Sequence, residues 1–295
     1  MTVLPIIINP AAGKDEPILN TLNDVFGRDI AWEAHITRSS GDARRFAEDA
    51  VARQADVVGV YGGDGTITEV AHVLANQDIP LLILPGGTGN GVARMLEIPI
   101  DLHRAAALLN ENYRVRPVDL GRINQHSFLL RADIGFLASV DMDTPRLMKD
   151  RFGKWAYAFS TFQHLHQLTP VAYQLKLDGR ELEMEAVLVT VVNMAAIMWG
   201  HRPVAPGISP DDGLLDVFLL TRHDMIALTE VVSSPVLGNP TPMVHWQVKS
   251  AEIRTTPPQP LAIDGEGIET ATAVISVAPQ AVKVIVPAPG KGGAA

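Results

Sequence analysis

Two glycine-rich segments follow apolar runs and carry residue types suited to phosphate. In YGGDGTITEV, 61–70, Gly62, Gly63, Asp64, Gly65, Thr66, Ile67 and Thr68 come directly after ADVVGV. LLILPGGTGNGVARML, 81–96, repeats the layout, with Gly86, Gly87, Thr88, Gly89 and Asn90 between an apolar run and a helical segment. A phosphate-holding loop needs glycines, so that backbone N–H groups can approach the oxygens, and a following helix whose N-terminus favours negative charge. NPAAGK, 9–14, after the first apolar run, is a third candidate and contributes Asn9. No Gly-x-x-x-x-Gly-Lys-Ser/Thr occurs, nor a complete Gly-x-Gly-x-x-Gly after a strand, so a nucleotide would be held without a P-loop.

Glycines and threonines account for binding but not for Asp64. A carboxylate aimed at phosphates repels them unless a divalent cation lies between, and Mg²⁺ is normally held by one or two carboxylates plus phosphate oxygens. Asp64 then sits on the Mg²⁺ side of the site, as a direct ligand or through water. The alternative is that Asp64 caps the helix starting at Thr66.

The elements that must position these loops can be read from periodicity. Val3–Ile8, Ala31–Ile36, Val57–Tyr61 and Leu81–Leu84 read as strands, and segments beginning near Pro17, Gly41, Thr66, Asn90 and Asp101 read as helices. Ile67, Val70, Ala71 and Leu74 fall at i, i+3, i+4 and i+7 and share one helix face. Such alternation predicts a mostly parallel sheet covered on both faces, with ligands bound beyond the carboxyl ends of its strands. After about Val118 the pattern turns antiparallel. Val171–Leu177 and Leu182–Leu188 alternate about an Asp178–Gly179 turn, and Leu214–Leu220, Trp246–Ile253, Pro260–Ile263 and Ala273–Val286 follow as strands.

The chain of 295 residues suffices for one large or two moderate domains, and 47% hydrophobic against 19% charged residues describes a well-cored protein. A net charge of −9 argues against nucleic acid as a partner. The absence of cysteine excludes disulfides, thiolate metal sites and cysteine nucleophiles, and permits a cytoplasmic location. MTVLPIIINP reads as a first strand rather than a signal peptide, and no uncharged stretch is fit to span a bilayer. His-Glu-x-x-His and Gly-x-Ser-x-Gly are both missing, which removes the sequence case for a zinc enzyme or a hydrolase nucleophile elbow.

NPAAGK, GGDGTITEV, PGGTGN, VDLGRIN (118–124), SPDDGLLDVFLL (209–220) and AIDGE (262–266) together resemble the catalytic domain shared by diacylglycerol kinases, sphingosine kinases and bacterial lipid kinases. The set occurs in the family's order and runs from Asn9 to Glu266; GGDGT alone also occurs in NAD kinases. The resemblance implies a Rossmann-like, three-layer nucleotide domain of the NAD kinase and phosphofructokinase type over residues 1–120, to which a tail at about 285–295 returns. It implies an antiparallel β-sandwich domain for lipid over 121–284, with a cleft between the two. The implied activity is ATP- and Mg²⁺-dependent phosphorylation of a lipid hydroxyl at a membrane surface, by a cytoplasmic protein that docks peripherally; a homodimer is left open.

Carried over, the resemblance makes Gly62 to Thr68 and Thr88 contacts for ATP, with Thr37 in ITRSSG a further one and Asn9, Gly87 and Asn90 in the same loops. It makes Glu266 the general base, and Asp64 and Asp119 members of a Mg²⁺–water network. It also implies a separate structural Mg²⁺, which would take the Asp212 side chain and the carbonyls of Ser209 and Leu214. Bacterial members and diacylglycerol kinases usually carry Asp directly after the Asn of the second loop; here Gly91 follows Asn90, as small residues do in sphingosine kinases. Taken alone, IDGE reads equally as an exposed hairpin turn.

Phosphoryl transfer is mostly positioning and charge neutralisation, which the glycine loops, Asp64 and Glu266 could supply. A binding regulator without turnover is the alternative, motivated by Gly91, and an NAD kinase-like enzyme is a third reading that leaves SPDDGLLD and IDGE unexplained. The basic–aromatic segment 146–168 reads either as a helix over the β-domain core or as a membrane-docking helix. Trp199 and His201 stand as pocket-lining or structural residues.

Overall fold

The computed structural model describes residues 3–12, 15–27, 29–135, 138, 170–194, 208–221, 243–268 and 272–289. The basic–aromatic segment, Trp199 and His201 lie outside them. The chain divides into two compact units, Met1–Leu120 with Gln280–Ala295, and Gly121–Pro279.

In the first unit, strands β1 (Leu4–Ile8), β2 (Trp32–Ile36), β3 (Val58–Gly62) and β4 (Leu81–Pro85) form a parallel sheet in the order β2-β1-β3-β4. Every residue of β1, β3 and β4 is buried, which is why these strands read as unbroken apolar runs rather than alternating ones. Helices α1 (Ile18–Phe26), α2 (Asp42–Ala52), α3 (Asp64–Leu74), α4 (Gly91–Met95) and α5 (Leu102–Ala107) cover it, α1 packing with α5 and α2 with α3. Ile67, Val70, Ala71 and Leu74 form the buried face of α3, as their spacing predicts. The loops that follow β1, β3 and β4 therefore emerge together at the carboxyl edge of three adjacent strands.

Strand β5 (Tyr113–Ile123) leads into the second unit, whose strands are β6 (His126–Phe128), β7 (Arg131–Gly135), β8 (Val171–Leu177), β9 (Arg180–Ala186), β10 (Leu188–Val192), β11 (Leu215–Leu220), β12 (Met243–Val248), β13 (Ser250–Thr256), β14 (Leu261–Ile263), β15 (Glu266–Ile268) and β16 (Thr272–Pro287). One antiparallel sheet runs β16-β13-β8-β9 and the other β12-β11-β10-β7-β14-β15. Tyr173, Leu175 and Ile253 of the first share one core with Val189, Val191, Val217 and Leu219 of the second, which makes the unit a sandwich. The last part of β16 belongs to the first unit, where Val284 pairs in parallel with Leu81 and Lys283 pairs with Asp78.

Two segments that read as single strands are each broken. The arm Leu182–Leu188 changes sheet at Val187, and Trp246–Ile253 changes sheet at Lys249. Asp178 fixes the second break: its Oδ1 accepts the N–H of Ser250 at 2.8 Å and that of Lys249 at 3.1 Å. Asp178 and Gly179 both have positive φ, 45° and 85°, so the Asp–Gly turn is type I′ as its sequence predicts. Strands β5, β6 and β7 are additions that the periodicity reading did not pick out. Among the described residues no helix is long and apolar enough to cross a membrane.

Candidate active site

The two glycine loops of the first unit are pressed together backbone to backbone. Gly86 donates its N–H to the carbonyl of Gly62 at 2.9 Å. A Cβ on Gly87 would lie 2.7 Å from the Cα of Gly63, a distance no real Cβ tolerates, so only glycine permits this approach. Asn90 closes its own loop. It is 1% exposed with φ 50°, its Oδ1 accepts the Gly87 N–H at 2.9 Å, and its Nδ2 donates to the Gly87 carbonyl at 2.6 Å. Both polar ends of Asn90 are thus engaged by its own loop.

Asp64 joins the loops. Its Oδ2 accepts the N–H of Gly91 at 2.9 Å and its Oδ1 that of Val92 at 3.0 Å. Asp64 is therefore a helix cap, but of α4 rather than of α3, where it is the first residue. The cap and metal readings do not compete for the same electrons, because each carboxylate oxygen keeps a further lone pair. Burial pushes the Asp64 carboxyl above the usual carboxylate range, against the two N–H bonds and the charge of Arg94.

Gly63 precedes α3 in extended conformation and no side chain among the described residues caps that helix, so its first-turn N–H groups form a positive end at the loop. Asn9 reaches this turn from the loop after β1, donating Nδ2–H to Thr66 Oγ at 2.8 Å while its Oδ1 accepts the Ala11 N–H at 3.0 Å. Tyr61 lies against Gly86 and donates its hydroxyl to Glu16 at 2.8 Å. Thr88 is exposed, and Thr37 is half-buried at the end of β2, its N–H on the Ile8 carbonyl at 2.9 Å. Ile67 differs from its neighbours: its side chain is in the core and its N–H is committed to the Gly63 carbonyl, so it supports the loop and offers a ligand nothing. Asp119 is fully buried on β5, where its Oδ1 accepts the Gln280 N–H at 2.6 Å and anchors the returning segment.

The remaining candidates stand in the second unit. Asp212 is exposed and accepts the Leu214 N–H at 2.9 Å, and the Ser209 hydroxyl donates to Asp211 at 2.6 Å, so Ser209, Asp212 and Leu214 share one self-bonded turn. Glu266 is exposed at the start of β15 and makes no side-chain hydrogen bond or ion pair among the described residues. Among those residues, no three His, Asp or Glu side chains are grouped so as to hold a metal ion on their own.

Asp264, read from sequence only as the first residue of a turn, does more than turn the chain. Its carboxylate accepts three consecutive backbone N–H groups, from Leu129 and Leu130 at 3.0 Å and from Arg131 at 2.9 Å. Asp133 is a second such residue: it is fully buried on β7, with the Arg131 Nε 2.9 Å from its Oδ2. Neither had a local signal, since the partners of Asp264 lie more than a hundred residues away and Asp133 stands in an otherwise ordinary strand.

Comparison with known proteins places this geometry. Residues 4–123 match the diacylglycerol kinase catalytic domain, and residues 133–286 match the YegS C-terminal NAD kinase beta sandwich-like domain. The chain belongs to the diacylglycerol kinase-like lipid kinases. Its activity class is accordingly phosphoryl transfer to an alcohol group. Among its relatives, the diacylglycerol kinase of Bacillus subtilis (strain 168) is 29% identical over 269 residues, 88% of each chain. A Pseudomonas aeruginosa PAO1 protein named "Probable lipid kinase YegS-like" is 32% identical over 265 residues, 89% of this chain and 86% of the relative. A crystal structure of a candidate diacylglycerol kinase from Bacillus anthracis str. Sterne superposes with a TM-score of 0.82 at 26% identity, covering 96% of this chain and 95% of the other. In this lipid kinase the residues gathered at one point are Asn9, Gly62 to Thr66, Gly86 to Gly91 and Val92, all in the first unit.

Proposed function

We propose that this lipid kinase transfers the γ-phosphoryl group of ATP, with Mg²⁺, to the hydroxyl of a lipid such as diacylglycerol, a sphingoid base or a monoacylglycerol at a membrane surface. The observation that carries the reading is the pairing of an uncapped helix N-terminus at α3 with a carboxylate, Asp64, whose own helix-capping bonds leave lone pairs unused. An anion fits the first and a cation the second, and phosphate with a divalent metal combines the two.

The N–H groups at the start of α3, together with Thr88 and Thr37, would hold the nucleotide, and Asp64 would hold the metal. Bound there, ATP and Mg²⁺ supply the transferable phosphoryl group and the neutralising charge. The chain's own contribution is to fix both loops before the nucleotide arrives, through Asp64, Asn90 and the Gly63–Gly87 contact, so that little reorganisation is left. Glu266 serves as the base, accepting the proton of the lipid hydroxyl on its carboxylate. Its exposure and lack of partners among the described residues leave both oxygens available. Ser209, Asp212 and Leu214 would hold a structural Mg²⁺, and Asp119 would act with Asp64 through water.

The test is transfer from radiolabelled ATP to vesicles carrying each lipid in turn, for the wild type and Glu266→Gln. One lipid is expected to accept label, and Glu266→Gln to lower the rate by about 10²–10⁴-fold. Transfer to none of them would overturn the kinase reading in favour of a binding regulator, and full activity of Glu266→Gln would remove the base.

A further inference from the structure

We propose that Asp264 is a positioning residue for phosphoryl transfer: its carboxylate locks the hairpin that carries Glu266 onto the start of β7. The inference rests on the reading of Glu266 as the base. It begins from an excess of bonding over what the turn requires. Asp264 and Gly265 have φ of 48° and 85°, a type I′ turn that Asn–Gly would form equally well without a carboxylate. Yet the Asp264 side chain accepts the N–H groups of Leu129, Leu130 and Arg131, and its own N–H returns a bond to the Arg131 carbonyl at 3.0 Å. Four bonds thus join a two-residue turn to one stretch of chain that is remote in sequence.

The hairpin needs such a fastening. β15 is three residues long, lies at the end of its sheet and, among the described residues, pairs only with β14. β14 is itself three residues long and joins the sheet through Leu261, Ala262 and Ile263 on β7. Short terminal strands fray, and Glu266 is the residue of β15 next to the turn, paired with Ile263. Since the Glu266 side chain touches no partner among the described residues, its location is inherited from the hairpin backbone, and the Asp264 clamp fixes that backbone at the turn itself, two residues before Glu266. A loosened clamp lowers the fraction of molecules with the base in place. That is a loss in kcat, with nucleotide affinity untouched, because the glycine loops belong to the other unit.

Asp264→Asn tests this with the turn preserved, because Asn is favoured at this turn position while its NH₂ cannot accept an N–H. Asp264→Gly removes the side chain at a position whose φ suits glycine. The measurements are kcat and KM for ATP, amide hydrogen exchange at Leu129, Leu130 and Arg131, and the same kinetics in a Glu266→Gln/Asp264→Asn double variant. Faster exchange at the three amides is expected, with kcat reduced at least about 10-fold and KM for ATP within about 2-fold of wild type, since small misplacements of a reacting group cost up to about 10²-fold. The double variant should be no slower than Glu266→Gln alone, because Asp264 acts through Glu266. Faster exchange with unchanged kcat in both single variants would overturn the proposal, as would an additive double variant or failure of both single variants to fold. Full activity of Glu266→Gln would instead refute the base, and is distinguishable because it does not involve the clamp.

Discussion

Asp64 accepts the backbone N–H of Gly91 at 2.9 Å. The acid of the first glycine loop is thereby bound to the residue directly after Asn90 in the second loop. A glycine there adds no second negative charge, so a single carboxylate is shared between loop architecture and the proposed metal.

Removing that carboxylate should separate the two roles. Asp64→Ala frees the N–H groups of Gly91 and Val92, a lost cap that costs about 0.5–2 kcal/mol by denaturant unfolding. Transfer from radiolabelled ATP should fall by at least about 10²-fold, more than the stability loss explains. Substantial remaining activity in the folded variant would reduce Asp64 to a cap. Gly91→Asp should have the converse signature, a lower Mg²⁺ concentration for half-maximal activity from a second carboxylate.

Gly87→Ala should injure the site without touching a charge. Its Cβ would meet the Gly63 Cα at 2.7 Å, and backbone cannot yield as a flexible side-chain tip can. The loops must separate, at an overpacking cost of about 1–3 kcal/mol. KM for ATP should rise in proportion to the lost preorganisation. Wild-type KM and unfolding midpoint would show that the two loops have slack between them.

What the sequence disclosed follows from where the partners of each residue lie. β1, β3 and β4 were legible because burial on both faces leaves an unbroken apolar run, and α3 because its core face repeats within the helix. The break at Lys249 left a trace: Trp246 and Val248 face the core at even positions, Ala251 and Ile253 at odd ones. At Val187 the same slip occurs between Ala186 and Val189, but Val187 and Leu188 are both apolar and hide it. Of the site, the loops were legible and the bonds were not. GGDGT announces an acid among glycines, but the amides that donate to it are 27 and 28 residues further on. The three hydrogen bonds accepted by Asp264 span more than 130 residues and are invisible to any local pattern.

The Thr37 loop should report through pH. The backbone N–H of Arg38 and the Arg45 guanidinium, with the N–H of Ser39, hold the Asp42 carboxyl well below the usual carboxylate range. A depressed folded value means that the folded state binds fewer protons than the unfolded one across the interval, so the contribution is complete above the unfolded value of about 3.9 and is lost as pH falls through the folded value. The difference in melting temperature between wild type and Asp42→Asn should therefore be constant from about pH 8 to 5 and shrink below about pH 4. KM for ATP should rise in Asp42→Asn with kcat unchanged, since the loop that follows Thr37 loses its anchor. A stability difference that grows on acidification would contradict the assignment.

A buried ion pair makes the sharpest stability prediction. Arg131 Nε lies 2.9 Å from Asp133 Oδ2, with side-chain exposures of 15% and 0%. Among the described residues, neither Asp133 oxygen has a hydrogen bond of good geometry, and Thr190, directly opposite on β10, also leaves its hydroxyl unpaired. The guanidinium is thus the compensation that the buried carboxylate has among these groups. Arg131→Met removes it and should cost about 3–5 kcal/mol in urea unfolding, the usual penalty for stranding one member of a buried pair. Replacing both residues, as in Arg131→Met with Asp133→Leu, removes the stranded charge along with its partner and should recover most of that loss. The backbone N–H that Arg131 gives to Asp264 survives both substitutions, so the hairpin clamp is retained in each variant. A double variant as unstable as Arg131→Met alone would show that packing of the arginine stem, rather than its charge, stabilises β7.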